Sequence, residues 1–448
     1  MMRLFAVIII IFPVLLFYLI RNRKHDVFSP LNAYTLLYIV KIVLPTIIYA
    51  IPTNISIVDD IFLKNALYSD TSFFCYIILQ SLGYVLVLLG IKVVANRYLK
   101  IADIQMSQNE IGRLDHENIR IYKTWGIIFY LLGILGFFLI MSKTGGVAYF
   151  FSNLQYRTYL VRDLDFESYL LSLLNYAPLL IIYSKRWTKG KIRFIDIILI
   201  IFAGLMVGLG GRKALLMLVV ESIVIYHFVV KRIRIKKILR PKYIIGILFV
   251  YLFFTTYSKF RQEGAYMQFI NSPVAFYTEN VDGGLARAIA GESYVPFYVA
   301  IINYFETHQK WYGTSFKGLF TAFIPSSFYS DKPPVDDGMY LYSIANGRDG
   351  LLPPMPVHEL DGSSWPLETV GAMYANFGSL GVLIGMWLVG IIIGSVYNKM
   401  IKTNYSFLFV IFYTLMLFTF ELSSLRIVQL VMAFVILSVI QFTVNKLH

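Results

Sequence analysis

Carboxylates, a histidine and a few arginines stand out in a mostly apolar chain. Glu292, His358, Glu359, Asp361 and Glu368 fall in or beside one polar segment, 257–364. A side chain of this kind can take the proton of a hydroxyl as that hydroxyl attacks an anomeric carbon. Arginines offer the complementary chemistry. Arg212 lies in Gly208-Leu-Gly-Gly-Arg-Lys213, where glycines allow close backbone approach and the guanidinium suits bidentate binding of phosphate or pyrophosphate. Arg157 and Arg162 share a second connection that starts at Gly145-Gly146, and Lys259, Arg261 and Arg287 lie early in the polar segment. Several such cations would stabilise the charge that grows on a departing pyrophosphate. Each residue also has a plainer reading, since loop acids are commonly just solvated and arginines near a bilayer snorkel to its headgroups.

The elements that must position these groups are apolar. The chain has 448 residues, is 58% hydrophobic and has a mean hydropathy of +0.66. Apolar stretches recur at about 4–20, 30–50, 71–91, 124–142, 168–184, 194–210, 213–230, 243–256, 367–397, 405–420 and 427–444. About 20 residues at 1.5 Å rise cross a hydrocarbon layer of ~30 Å. A backbone in lipid must satisfy its own hydrogen bonds, so these stretches read as helices. The short alternating segments of a β-barrel are absent from the sequence. The expected fold is all-α, a polytopic membrane bundle of about eleven transmembrane helices with one large extracytoplasmic loop. Residues 1–256 hold the first eight spans, 257–366 the loop with short helices, and 367–448 the last three spans.

The net charge of +14 falls mostly in every second connection, densest in KRIRIKKILRPK, 231–242. That alternation is membrane topology, and it excludes nucleic acid as the reason for the charge. The basic side is cytoplasmic by the positive-inside rule, which puts the N-terminus outside and the C-terminus inside. Segment 257–364 carries 7 Lys and Arg against 11 Asp and Glu, while the rest of the chain is strongly basic. Its aromatics could stack on sugar rings or form a membrane-interface belt. Tyr294 to Phe305 is apolar but short, and reads as an interfacial or re-entrant helix. Lys41 and Glu221 lie within spans and read as a structural pair, with a proton or substrate path as the alternative. Glu421 and Arg426 flank an outward turn as a local ion pair or interface anchors. Cys75 is the single cysteine, and Asp331, Asp336 and Asp337 lack the spacing of a metal loop, so no metal or cofactor is expected.

Several of these features together resemble the Wzy-type family of O-antigen and oligosaccharide repeat-unit polymerases. They are the many spans, the turn Gly210-Gly-Arg-Lys213, the loop Gly145-Gly146 to Arg157, and the large loop with Ile324-Pro and Lys332-Pro. The most specific part is Ser364-Trp-Pro-Leu-Glu368, followed by Tyr374-Ala-Asn-Phe-Gly378 and Gly381. The resemblance implies glycosyl transfer on the outer face of the bacterial cytoplasmic membrane. There an undecaprenyl-pyrophosphate-linked glycan would be transferred to another lipid-linked repeat unit of an O-antigen or capsule. Arg157, Arg212 and Arg287 would then hold the pyrophosphate, with Arg261 as a further candidate. His358 or Asp361 would be the base, and Glu368 would act in catalysis or complement a helix dipole. The implied partners are the lipid-linked glycans, the bilayer, and a flippase and chain-length regulator of the same pathway. An O-antigen ligase and a flippase or exporter are the competing classes.

Overall fold

In the computed structural model every described element is helical. The structure describes residues 2–20, 26–101, 116–161, 164–185, 192–209, 212–233, 293–324 and 328–446, with a few more between 268 and 290. The principal helices run in chain order: α1 (Met2–Ile20), α2 (Pro30–Tyr49), α3 (Asp70–Ile101), α4 (His116–Lys143), α5 (Phe166–Ser184), α6 (Phe194–Gly208), α7 (Arg212–Ile225), α8 (Val295–Thr307), α9 (Lys317–Thr321), α10 (Gly338–Ala345), α11 (Glu368–Lys402), α12 (Phe407–Thr419) and α13 (Ser424–Lys446).

Among the described residues six helices are long and apolar enough to cross a membrane. They are Pro30–Tyr49, Asp70–Asn96, Arg120–Lys143, Phe166–Ser184, Glu368–Lys402 and Ser424–Thr443. Four shorter apolar helices, Phe5–Leu19, Phe194–Gly208, Ala214–Val230 and Phe407–Thr419, fall on other expected spans. The expected stretch 243–256 lies outside the described residues. Among the described residues length and apolarity therefore mark six candidate crossings, and the count of eleven that the hydropathy pattern suggests is not confirmed.

Contacts sort the chain into two compact units, and they cut it differently from hydropathy. The first joins Met1–Asp103, Gly283–Thr403 and Leu415–Ile436, and the second joins Ile104–Asp282, Asn404–Thr414 and Leu437–His448. Most of the polar segment thus belongs to the same unit as α1 to α3 and α11. Hydrogen bonds explain this: the backbone amides of 311–313 and the side chain of Asp337 bond to the helices of that unit, as detailed below.

In the first unit α3 and α11 run side by side with almost no side chain between them. A Cβ on Gly90 would sit 2.5 Å from the Trp387 carbonyl oxygen, and one on Gly390 would sit 2.2 Å from that of Val87. Small residues at such crossings give the close van der Waals contact that holds helices together in lipid. Arg3 secures α1, its Nε 2.7 Å from Asp70 Oδ1 and its Nη2 donating to the Leu67 carbonyl. Helix α8 covers Tyr294 to Phe305, yet it is buried on nearly every face instead of lying half in an interface. Its pattern, apolar all round, is that of a helix enclosed by protein.

Helix α11 is two helices. Gly378 has φ +66° and ψ −157°, a conformation reserved in practice for glycine. The segment 368–377 folds back along 379–402, so that a Cβ on Gly385 would meet Met373 Cγ at 2.7 Å and Thr369 Cγ2 at 3.3 Å. A break leaves carbonyls without their i+4 partners, and inside a membrane protein something else must serve them. The polar segment does so. Trp311 N–H donates to the Ala375 carbonyl at 2.9 Å, and Tyr312 N–H to that of Asn376 at 3.0 Å. The Asn376 side chain accepts from Gly313 N–H at 3.0 Å and donates to Ser315 Oγ at 2.9 Å. Tyr374-Ala-Asn-Phe-Gly378 is thus a re-entrant turn together with the socket that docks the loop.

In the second unit α4 to α7 pack together. Tyr130 donates to the Leu199 carbonyl at 3.0 Å, and Asp196 closes the start of α6 by accepting the Arg193 amide while pairing with Lys185.

Candidate functional site

The re-entrant segment carries Glu368 into a cleft of the first unit. The cleft holds about 600 Å³ of empty space, part of it open to solvent, and its walls include Tyr34, Tyr38, Lys41, Gln80, Thr369 and Glu421. Lys41 Nζ lies 3.8 Å from Glu368 Oε1. Although enclosed by helices, the Lys41 side chain keeps 44% of its area open, because it borders the cleft.

Local sequence explains both positions. Pro45 has no N–H to donate to the Lys41 carbonyl four residues earlier, and its ring crowds that oxygen. The chain responds with a π-turn over Ile39–Val43, closed by Leu44 N–H on the Ile39 carbonyl. Such bulges re-aim a side chain and recur at functional sites. Glu368 takes φ +42°, left-handed backbone that is rare outside glycine. The strain is held by its surroundings: Gly371 N–H reaches back to the Leu367 carbonyl, and Thr369 Oγ1 accepts from Leu422 N–H at 3.0 Å.

That last bond also fixes the turn before α13, which brings Glu421 beside Glu368. Lys41 and Arg426 act electrostatically on both carboxyls. Two acids and two bases therefore share one cluster among apolar helices, an arrangement that is costly in lipid and marks function more often than structure. Arg426 Nη1 also donates to Gln429 Oε1 at 2.7 Å, and Glu421 Oε2 is buried without a hydrogen-bond partner. Two carboxyls beside an ammonium and a guanidinium, walled by tyrosine and glutamine, can exchange a proton with a hydroxyl and hold a polyol.

A second polar centre of this unit lies outside the spans. Asp337 is 1% exposed, and its Oδ2 accepts from Ser424 Oγ at 2.9 Å and Ser315 Oγ at 3.3 Å, while Oδ1 has no partner. Burial, with help from the Asp336 charge, pushes its carboxyl up to about 7 against the bonds from Ser424 and Ser315. This network ties α10, α11 and α13 together. Nothing in the one-dimensional pattern of Asp331, Asp336 and Asp337 signals it, since Ser315, Asn376 and Ser424 are distant in sequence. No group of three potential metal ligands occurs among the described residues.

The other expected residues fall as follows. His358 is exposed in a single 3-10 turn, Val357–Glu359. Asp361 is half-buried and occupied: it accepts from Asn346 Nδ2 at 3.3 Å, lies 3.9 Å from Arg348, and donates its amide to Ser343 Oγ. Neither borders the cleft. In the second unit Arg157 Nη1 donates to the Gly208 carbonyl at 3.3 Å, at the end of α6. Arg212 opens α7. Arg261 and Arg287, with Lys259, Arg162 and Glu292, lie outside the described residues. Lys41 has Glu368 as a carboxylate partner, where the sequence suggested Glu221, and Glu221 is buried in α7. Lys41, Glu421 and Arg426 were each visible as charges in or beside spans, but the cluster they form was not.

No family model, curated protein or solved structure matches this chain.

Proposed function

We propose that the protein is a glycosyltransferase that polymerises undecaprenyl-pyrophosphate-linked oligosaccharide repeat units on the outer face of a bacterial cytoplasmic membrane. The observation that carries this reading is Glu368, the acid of the Ser364-Trp-Pro-Leu-Glu368 motif. It stands on strained backbone at the foot of a re-entrant segment, with Lys41 as counter-ion and a cleft before it. A carboxylate held this way accepts the proton of an acceptor hydroxyl, and Glu421 can share or relay it. Arg157 and Arg212, with Arg261 and Arg287, would bind the pyrophosphate. The N-terminus would face outward and the C-terminus the cytoplasm, following the basic connections. An O-antigen ligase would use the same chemistry with a different acceptor.

A specific feature favours a second reading. Four ionisable groups in and beside a cleft among apolar helices also suit an exporter of lipid-linked oligosaccharide. One assay separates the two. The purified chain in vesicles is given a lipid-pyrophosphate-linked repeat unit, and both chain length and sidedness of the lipid are followed. Polymerisation that is lost in E368Q supports the transferase; transbilayer movement without longer chains rejects it.

A further inference from the structure

The polar segment exposes apolar side chains that a water-facing loop would hide. Phe320 and Phe328 are each 85% exposed and Phe323 57%, with Ile324 and Tyr312 also open. Single exposed apolar residues are ordinary, but a run of large ones outside the spans points to something that covers it.

The patch continues onto the exposed flank of α11, a helix long and apolar enough to cross a membrane. Phe316 stacks on Phe377 of α11, centroids 6.3 Å apart and rings 16° from parallel, and Gly313 leaves room for that same ring. From Phe377 an exposed apolar stripe descends α11 through Leu380, Ile384 and Leu388, at helical spacing. The depth also agrees. Gly378 to Lys399 is a rise of about 32 Å at 1.5 Å per residue, near the ~30 Å of a hydrocarbon core. With Lys399 and Lys402 at one headgroup level, Phe377 and the loop stacked on it stand at the other.

The turn is also equipped to leave water. Lys332 Nζ donates to the Ala322 and Ile324 carbonyls, each at 2.9 Å, so the end of α9 does not rely on solvent. Lys317, exposed on α9, can reach phosphate headgroups.

We propose that residues 312–324 are an in-plane membrane anchor, with Phe320 and Phe323 inserted among the acyl chains beside the outer end of α11. The anchor pins the loop to the bilayer at the break in α11 and does not depend on which reaction the cleft performs.

The test is nitroxide accessibility in the full-length chain in phospholipid vesicles. Cys75 is replaced by serine, and a single label is placed by F320C or F323C. L380C serves as the lipid-facing reference and S363C as the water-facing one. The expected result is that labels at 320 and 323 collide several-fold more with oxygen than with a water-soluble nickel chelate, as at 380. A ratio like that at 363 overturns the proposal. Low accessibility to both reagents also overturns it, because that assigns the patch to a second copy or another protein. Since both positions are exposed, either variant suffices if the other fails to reach the membrane.

Discussion

Replacing Asp337 by asparagine removes a carboxyl that burial holds near neutrality outside the spans. In the unfolded chain this group ionises near its ordinary 3.8, and in the folded protein at about 7. Between those values the folded state keeps a proton that the unfolded state has lost. Its contribution to stability is complete below 3.8 and is lost as pH rises through about 7. From about pH 5 to about pH 8 the equilibrium for opening α10 should rise about a hundredfold, roughly 2.7 kcal/mol. In D337N that dependence should vanish, because an amide is neutral throughout and still accepts from Ser315 and Ser424. Hydrogen exchange read by mass spectrometry on the peptide covering 333–345, corrected for intrinsic exchange rates, measures it. Wild type and D337N should converge only below about pH 4, with the variant already more protected by roughly tenfold near pH 5 and by about three orders of magnitude near pH 8. Parallel profiles, or a D337N less protected at every pH, would refute the reasoning and mean that the serines hold an ionised carboxylate.

Four further outcomes follow from the same geometry. E368Q should lower polymerisation by about 10²–10⁴-fold, the usual range for a lost general acid or base, while the protein still inserts; near-normal chain length would remove Glu368 from the chemistry. R212A should abolish polymerisation with membrane levels unchanged, read on gels of surface polysaccharide. K41M and E368Q should be strongly non-additive in a double-mutant cycle of activity, since each removes the other's partner; additive losses would separate them. G378A should cost about 1–3 kcal/mol, because Cβ has no place at that backbone angle and would also lie 2.7 Å from Lys310 Cε; a thermal melt equal to wild type would contradict the break as drawn.

Much of this architecture could be read from residues in order. Apolar runs of about 20 residues announce helices because backbone in lipid has no other way to bond. The limits of that reading are as clear. It made one crossing of 367–397, because hydropathy sees Gly378 as one small residue and cannot see that its angles reverse the chain. It left Tyr294 to Phe305 as an interfacial or re-entrant helix, because length alone does not tell lipid from protein as a neighbour; the helix is buried among protein. It paired Lys41 with Glu221, the most conspicuous acid inside a span. The actual carboxylate sits at the start of a helix, where a dipole role looked sufficient. His358 and Asp361 were attractive by type, yet one is exposed and the other is engaged with Arg348 and Asn346.

By itself the sequence determined what local composition can determine: a helical chain with stretches apolar enough to cross a membrane, the alternation of its basic connections, and the motifs around Arg212 and Glu368. Only the tertiary structure decided which charges share a site. Lys41, Glu368, Glu421 and Arg426 come together because a proline-induced π-turn, a left-handed glutamate and a break at Gly378 each redirect the chain by a fraction of a turn. Such angles depend on what packs around them, and that context is hundreds of residues away in sequence.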